Sequence, residues 1–231
     1  MSPNESGQGI RPRVLAFDLN QTLIDFGAAR PAFAQLFGDG KALDDWFTLL
    51  LHASLVVTLT GSYVDFRTLG RAALERLAES RGVRLTDEDR APLFAELLEL
   101  PAHPDVPGGL EQLKNAGFRM AVLTNSPASG AAKQIENAGI AHFFEDCISV
   151  DVVKKFKPAA EVYLAAAARL GVAPSDMMLV AAHGWDVYGA LRAGCRAAFI
   201  ARSGQTLFPV NPRPEISAPD LRAFAAAILK C

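Results

Sequence analysis

The stretch Val-Leu-Ala-Phe-Asp-Leu-Asn-Gln-Thr, residues 14–22, constrains the fold more than any other part of the chain. Four apolar residues run into a carboxylate, and a short polar loop follows. A strand covered on both faces is apolar throughout instead of alternating, so this run predicts a buried parallel strand. Ligands of open parallel sheets bind just beyond the carboxyl ends of the strands. Asp18 is thereby expected at the mouth of a site. Read alone, it is equally well an aspartate that caps or turns the chain where a strand stops.

From Pro101 onward, strand and helix signals alternate. A helix opens at Pro104-Asp105-Val106-Pro107-Gly108 and ends near Gly117. Residues 118–123 read as a strand ending at Thr124-Asn125-Ser126, and a helix then runs to Gly139. A short strand over 147–150 and a helix from Pro158 to about Gly171 come next. Strands over 178–182 and 197–200 flank a helix over 186–194, and Pro219-Asp220 starts the last helix. Strands joined by single helices make right-handed crossovers, and therefore a parallel sheet with helices on both faces.

Residues 27–100 have a different character. Phe33, Leu36 and Phe37 share one helical face, as do Trp46, Phe47, Leu50 and Leu51, and again Leu69, Ala73, Leu74 and Leu77. The β-branched run at 55–59 is ambiguous between helix and strand. Such a block is too long for a connection and too apolar for a linker. The expected organisation is a loose tail over 1–10, a Rossmann-like α/β core over 11–26 and 101–231, and an inserted helical cap over 27–100.

At 231 residues, 50% of them hydrophobic, the chain is long enough to bury a full core. A net charge of −2 gives no basic footprint, so nucleic acid is not an expected partner. The sequence shows no apolar run of transmembrane length, and its polar start lacks the hydrophobic region of a signal peptide. No membrane partner is expected. The three cysteines, Cys147, Cys195 and Cys231, are widely spaced and odd in number. They fit thiols of a reducing cytoplasm better than a zinc site or a disulfide framework.

Three more polar groups fall at predicted strand ends: Thr124-Asn125-Ser126, Lys157-Pro158 and His183-Gly184-Trp185-Asp186. Each alone has a plain explanation as a helix cap or a solvated loop residue. Together, on one edge of one sheet, they supply a nucleophile, a hydroxyl and amide cradle, a cation and a second carboxylate.

This ordered set resembles the haloacid dehalogenase superfamily of hydrolases, and within it the type II (L-2-)haloacid dehalogenases. The resemblance implies that Asp18 is the nucleophile, Thr22 its hydrogen-bonding partner and Lys157 the lysine that holds and neutralises it. It implies that Thr124 and Asn125 grip the substrate's anionic group, and that Asp186 is the acid of the last motif. Tyr163, in Glu161-Val162-Tyr163, and Trp185 match residues of the dehalogenase site. Phosphatases of the superfamily instead carry a second aspartate two residues after the nucleophile and acids that hold magnesium. Asn20 and His183 stand at those positions, and a departing halide needs no proton, so the pattern favours dehalogenation.

The chain also departs from the dehalogenase pattern. Asn20 stands for an aromatic, Gln21 for a glycine, Phe47 for the cap arginine that binds halide, and Ala181 and His183 for a serine and an asparagine. Arg30 and Arg67 are other cap cations that the spacing does not tie to that role. His183 reads as a water-positioning residue or base near neutral pH, or as a structural histidine. The implied reaction is covalent: Asp18 displaces halide from a small halogenated carboxylic acid, and water, oriented by Asp186 with His183, hydrolyses the ester. No metal or cofactor is called for, and the resemblance suggests a homodimer. A phosphatase acting on a small phosphate ester, or a weakly active ligand-binding relative, is the alternative.

Overall fold

The computed structural model describes residues 11–207, 209 and 212–230. The tail expected over 1–10 and Cys231 lie outside the described residues. Six strands form one parallel sheet: β1 (Val14–Phe17), β2 (Arg119–Thr124), β3 (Asp146–Ser149), β4 (Met177–Ala181), β5 (Arg196–Ile200) and β6 (Ile216–Ala218). Their order is β3-β2-β1-β4-β5-β6. All four residues of β1 are buried, which is why that strand is apolar without alternation. The chain leaves β1 toward β2 on one side and toward β4 on the other, so the crevice of the fold opens at the end of β1. Phe17 pairs with Val122 and with Val180, which sets Asp18 level with the last residues of β2 and β4.

Five helices accompany the sheet: α5 (Val106–Asn115), α6 (Ala128–Asn137), α7 (Ala160–Arg169), α8 (Gly184–Arg192) and α9 (Leu221–Ile228). Between β1 and α5 stand only helices among the described elements: α1 (Arg30–Phe37), α2 (Ala42–Thr60), α3 (Phe66–Ser80) and α4 (Asp87–Glu96), after one 3-10 turn at Phe26–Ala29. α2 and α3 pack on each other through Trp46, whose indole Nε1 donates to the Gly70 carbonyl at 2.9 Å. Asp65 caps α3 and a Thr86–Asp89 capping box starts α4.

Three local expectations are corrected. Residues 55–59 are helical, the last turns of α2, because Gly61 in the left-handed region closes the helix and Thr58 Oγ1 accepts from the Phe156 amide. With that extension α2 is 19 residues and, by length and composition, apolar enough to cross a membrane. Its Trp46, Phe47, Leu50 and Ser54 face is nevertheless packed inside the protein, as in a core helix. The short edge strand β6 was not expected, since three residues carry no readable period. α8 begins at Gly184, two residues before Asp186, so Asp186 lies in its first turn.

Candidate active site

Three charged side chains sit buried at the end of the sheet. Lys157 arrives on the loop between β3 and α7, and its ammonium is 1% exposed. Nζ donates to Asp18 Oδ1 at 2.7 Å, to Asp186 Oδ2 at 2.6 Å and to the Leu123 carbonyl at 3.0 Å. These are the three donors an ammonium has. Asp186 Oδ1 accepts from the Tyr163 hydroxyl at 2.5 Å, so both of its oxygens are engaged. α8 comes close enough for this because residue 189 is glycine. A Cβ there would stand 2.4 Å from Pro158 Cβ and 2.6 Å from the Tyr163 oxygen.

The three groups hold one another's charge. Burial alone would raise the Asp18 carboxyl, but the Lys157 ammonium and the His183 hydrogen bond outweigh it and leave Asp18 well below the usual carboxylate range. Burial opposes the charge on Lys157, yet Asp18 and Asp186 together raise its pKa above the ordinary lysine value. Asp186, which has no exposed surface, is raised by burial with only partial compensation from Lys157. Of the two carboxylates, Asp18 is the one kept ionised most firmly. A buried ion pair is weak evidence for stability, but removing one partner leaves an uncompensated charge.

The other oxygen of Asp18 is held as well. Oδ2 accepts from Thr22 Oγ1 at 2.6 Å and lies 3.0 Å from His183 Nδ1. Thr22 is fixed in turn by the Ala182 amide, which donates to Oγ1 at 2.9 Å. An ionised carboxylate only accepts, so Nδ1 of His183 carries the proton here. His183 Nε2 lies 2.9 Å from Gln21 Oε1, which also accepts from Gln205 Nε2 at 3.0 Å. Gln21 adopts φ 63, a left-handed backbone that favours glycine. The chain carries a side chain at this strained position and uses it to hold the imidazole.

A small cavity of about 10 Å³ lies above Asp18, lined by Asn20, Thr124, Asn125, His183 and Trp185 from the sheet side and by Phe47, Leu51 and Phe66 from α2 and α3. His183 is stacked between Phe47, with ring centroids 6.0 Å apart, and Trp185, at 5.1 Å. Asn125 Oδ1 accepts from the Lys157 amide at 3.0 Å, and Thr124 Oγ1 accepts from the Ser126 amide at 3.1 Å. Asn20 is drawn away from Asp18. Its Nδ2 donates to Ser126 Oγ at 3.0 Å and its Oδ1 accepts from Gln134 Nε2 at 3.3 Å.

Of the residues singled out in the sequence, Asp18, Asn20, Phe47, Thr124, Asn125, His183 and Trp185 face one cavity. Thr22, Lys157, Asp186 and Tyr163 stand behind it, and Gln21 reaches it through His183. Arg30 lies apart, in a two-bond pair with Asp44 at 2.8 Å. Tyr63 also stands off, bonded to Asp151 and stacked on Phe156. Ser126 was named with its strand end, whereas Gln134 and Gln205 were missed as partners of the site. Gln134 leaves a signal, being an amide on the buried face of α6 beside Ala131 and Ile135.

Fold and site together define a doubly wound α/β protein with a buried, lysine-paired aspartate at the end of its central strand. A family model described as haloacid dehalogenase-like hydrolase matches residues 12–194, and the chain belongs to that family. (S)-2-haloacid dehalogenase 2 of Pseudomonas sp. (strain CBS-3) is 31% identical over 223 residues, covering 93% of this chain and 97% of its own. (S)-2-haloacid dehalogenase 4A of Burkholderia cepacia is 32% identical over 200 residues, covering 83% and 84%. The solved L-2-haloacid dehalogenase of Xanthobacter autotrophicus with chloropropionic acid covalently bound is 25% identical. It superposes with a TM-score of 0.88, covering 94% of this chain and 98% of that one.

Proposed function

We propose that the protein hydrolyses the carbon–halogen bond of 2-haloalkanoic acids through an ester on Asp18. The observation that carries this reading is an aspartate ionised by Lys157 beneath a cavity with apolar walls, 5% exposed and bonded at both oxygens. A weakly hydrated carboxylate is the more reactive nucleophile. It attacks the carbon bearing the halogen, the carbon–halogen bond breaks, and halide leaves with its electron pair. The family names of the relatives, and the structure with chloropropionic acid covalently bound, support the same chemistry. Asn20 is an amide committed to Ser126 and Gln134, so it offers no acid to a leaving alkoxide; halide needs none.

The substrate carboxylate is assigned to Thr124 and Asn125, whose Nδ2 donors remain for it once Oδ1 is taken by the Lys157 amide. Water then attacks Cγ of the Asp18 ester. With Asp18 esterified, Nδ1 of His183 no longer faces a negative charge. Its Nδ1 proton passes to solvent, which accounts for the one proton released per halide; the ring, with Nε2–H still on the Gln21 oxygen, then takes the proton of the attacking water at Nδ1. Lys157 donates to Oδ1 and Thr22 to Oδ2, so whichever oxygen is not alkylated keeps a donor as it gains charge. Asp186, with both oxygens bonded and no exposed surface, acts through Lys157.

The same reading carries a cytoplasmic homodimer. The free thiols Cys147 and Cys195 fit a reducing compartment, and the exposed Leu55, Val56 and Leu59 on α2 offer a surface for the second copy. The deciding experiment is single turnover of a 2-haloacid in heavy-oxygen water, followed by peptide mass analysis. Label in the peptide containing Asp18 is expected. Label found only in the hydroxyacid product removes Asp18 as nucleophile, and turnover of phosphate esters that depends on added magnesium returns the phosphatase reading.

A further inference from the structure

Beside the cavity over Asp18 lies a larger one of about 280 Å³, between α2, α3, α4 and α6, and the two share Asn20 and Phe66 in their walls. Its lining is mostly carbon: Trp46, Leu50, Phe66, Phe94, Leu97 and Leu98. Of the polar side chains that reach it, Asn20, Asp65, Ser126 and Gln134 are bonded to neighbours, and Arg67 and Ser129 are the others in its wall. Asp65 is bonded to the Thr68 amide and hydroxyl, while Gln134 donates to the Leu97 carbonyl and to Asn20. Asn20, held by Ser126 and Gln134, and Phe66 form the wall common to the two cavities.

Two glycines help to keep this space. Gly70 is inside α3 and Gly130 inside α6, and neither has a positive φ, so the backbone does not require glycine at either position. Glycine inside a helix is destabilising relative to alanine. A Cβ at Gly130 would meet only Leu98 Cδ2, at 3.8 Å, and one at Gly70 would make ordinary contacts with Trp46, Phe94 and Leu50. Side chains at these positions would grow into the cavity.

We propose that this cavity receives the substituent on the halogen-bearing carbon, so that the preferred substrates are 2-haloacids with a long alkyl chain or an aromatic ring. The assignment rests on the dehalogenase reading. An apolar chain leaving water for a wall of leucine and aromatic rings gains affinity with each methylene, and only the Asn20 and Phe66 side chains stand between that wall and the space above Asp18, so a substituent that displaces the Phe66 ring reaches it while the reacting carbon stays above Asp18.

The test measures halide release from 2-chloropropionate, 2-chlorobutanoate, 2-chlorohexanoate and 2-chloro-3-phenylpropionate by the full chain and by Gly130→Leu and Gly130→Ala. For the parent, kcat/KM is expected to rise about threefold to fourfold per added methylene. That dependence on chain length should be flat or reversed in Gly130→Leu and shallower in Gly130→Ala. A parent that prefers 2-chloropropionate overturns the assignment. So does an undiminished slope in a Gly130→Leu protein with native circular dichroism. If Gly130→Leu does not fold, Gly130→Ala decides by its slope alone. Halide released from short acids only leaves the dehalogenase reading standing without this subsite, whereas no halide from any acid overturns both.

Discussion

On the sheet side of the catalytic cavity, Asp18, Lys157, Asp186 and Thr22 hold one another through bonds of 2.6–2.7 Å. On the cap side, Phe47, Leu51 and Phe66 border the same space with carbon alone. Hydrogen bonds between buried charges are directional, and removing one member strands the others. Contacts between apolar side chains tolerate changes of shape with losses of affinity that grow in small steps. On the proposed function, the sheet side fixes what reaction takes place, and the side formed by α2 and α3 fixes which molecules undergo it.

Lys157→Met breaks that contrast most severely, since it leaves Asp18 and Asp186 buried without their shared cation. Turnover is expected to fall about 10³-fold or more and unfolding stability by about 3–5 kcal/mol, read by steady-state kinetics and urea titration. The pH profile gives a second reading. Ionised Asp18 contributes stability above its ordinary value of 3.8, and this is lost as pH falls through its lower folded value. Charged Lys157 contributes below its ordinary 10.5, lost as pH rises through its higher folded value. Asp186, being raised, acts against Asp18 on the acid side. The acid limb of kcat/KM should therefore move upward in Lys157→Met, and an unmoved limb would assign it to another group.

Gly189→Ala perturbs the same cluster without removing a polar group. Its Cβ collides with Pro158 and with the Tyr163 hydroxyl, which shifts both Lys157 and the partner of Asp186. Overpacking of this kind costs about 1–3 kcal/mol. A loss of turnover of about 10–100-fold is expected from misplacement of the reacting groups. A fully active, stable variant would show that the cluster tolerates displacement.

Gln21→Gly separates geometry from strain. It relieves a left-handed backbone worth about 1–2 kcal/mol while releasing His183 Nε2 and Gln205. The expected protein is as stable as the parent or slightly more so. Its ester hydrolysis should be slower, visible as a burst of halide in rapid-quench experiments followed by a reduced steady rate. Equal slowing of burst and steady phases would place His183 in alkylation instead.

The smallest effect is expected on the cap side. Phe47→Leu keeps the wall apolar but gives up the ring contacts with Phe26, Trp46 and His183, each worth about 0.5–1.5 kcal/mol beyond burial. KM for a given acid should change several-fold with kcat nearly constant. A large fall in kcat would mean that the stack over His183 belongs to the chemistry and that the two sides of the cavity are not separable.

Much of this arrangement was legible in the amino-acid sequence. The apolar run before Asp18, the alternation after Pro101 and the helical spacing of 33–77 report local burial, and local burial sets strand, helix and order. Asp18, Thr124, Lys157 and His183 were placed at one sheet edge by that order alone, since parallel strands all end on the same side. The edge strand Ile216–Ala218 escaped because its three residues depend on pairing with β5 for their conformation.

What only the tertiary structure decided is who holds whom. Asn20 meets Ser126 across 106 positions, Lys157 meets Asp18 across 139, and Gln21 meets Gln205 across 184. No local period encodes such pairings. That Tyr163 backs Asp186, that Gln21 bears a strained backbone to hold His183, and that a second cavity adjoins the first at Asn20 follow from how distant surfaces fill space together. The sequence by itself determined the strand that ends at Asp18 and the side of the sheet where the buried polar groups gather. Bond partners and cavities were settled by the sum of all packing contacts, because a gap or a hydrogen bond exists only between surfaces the fold has already brought together.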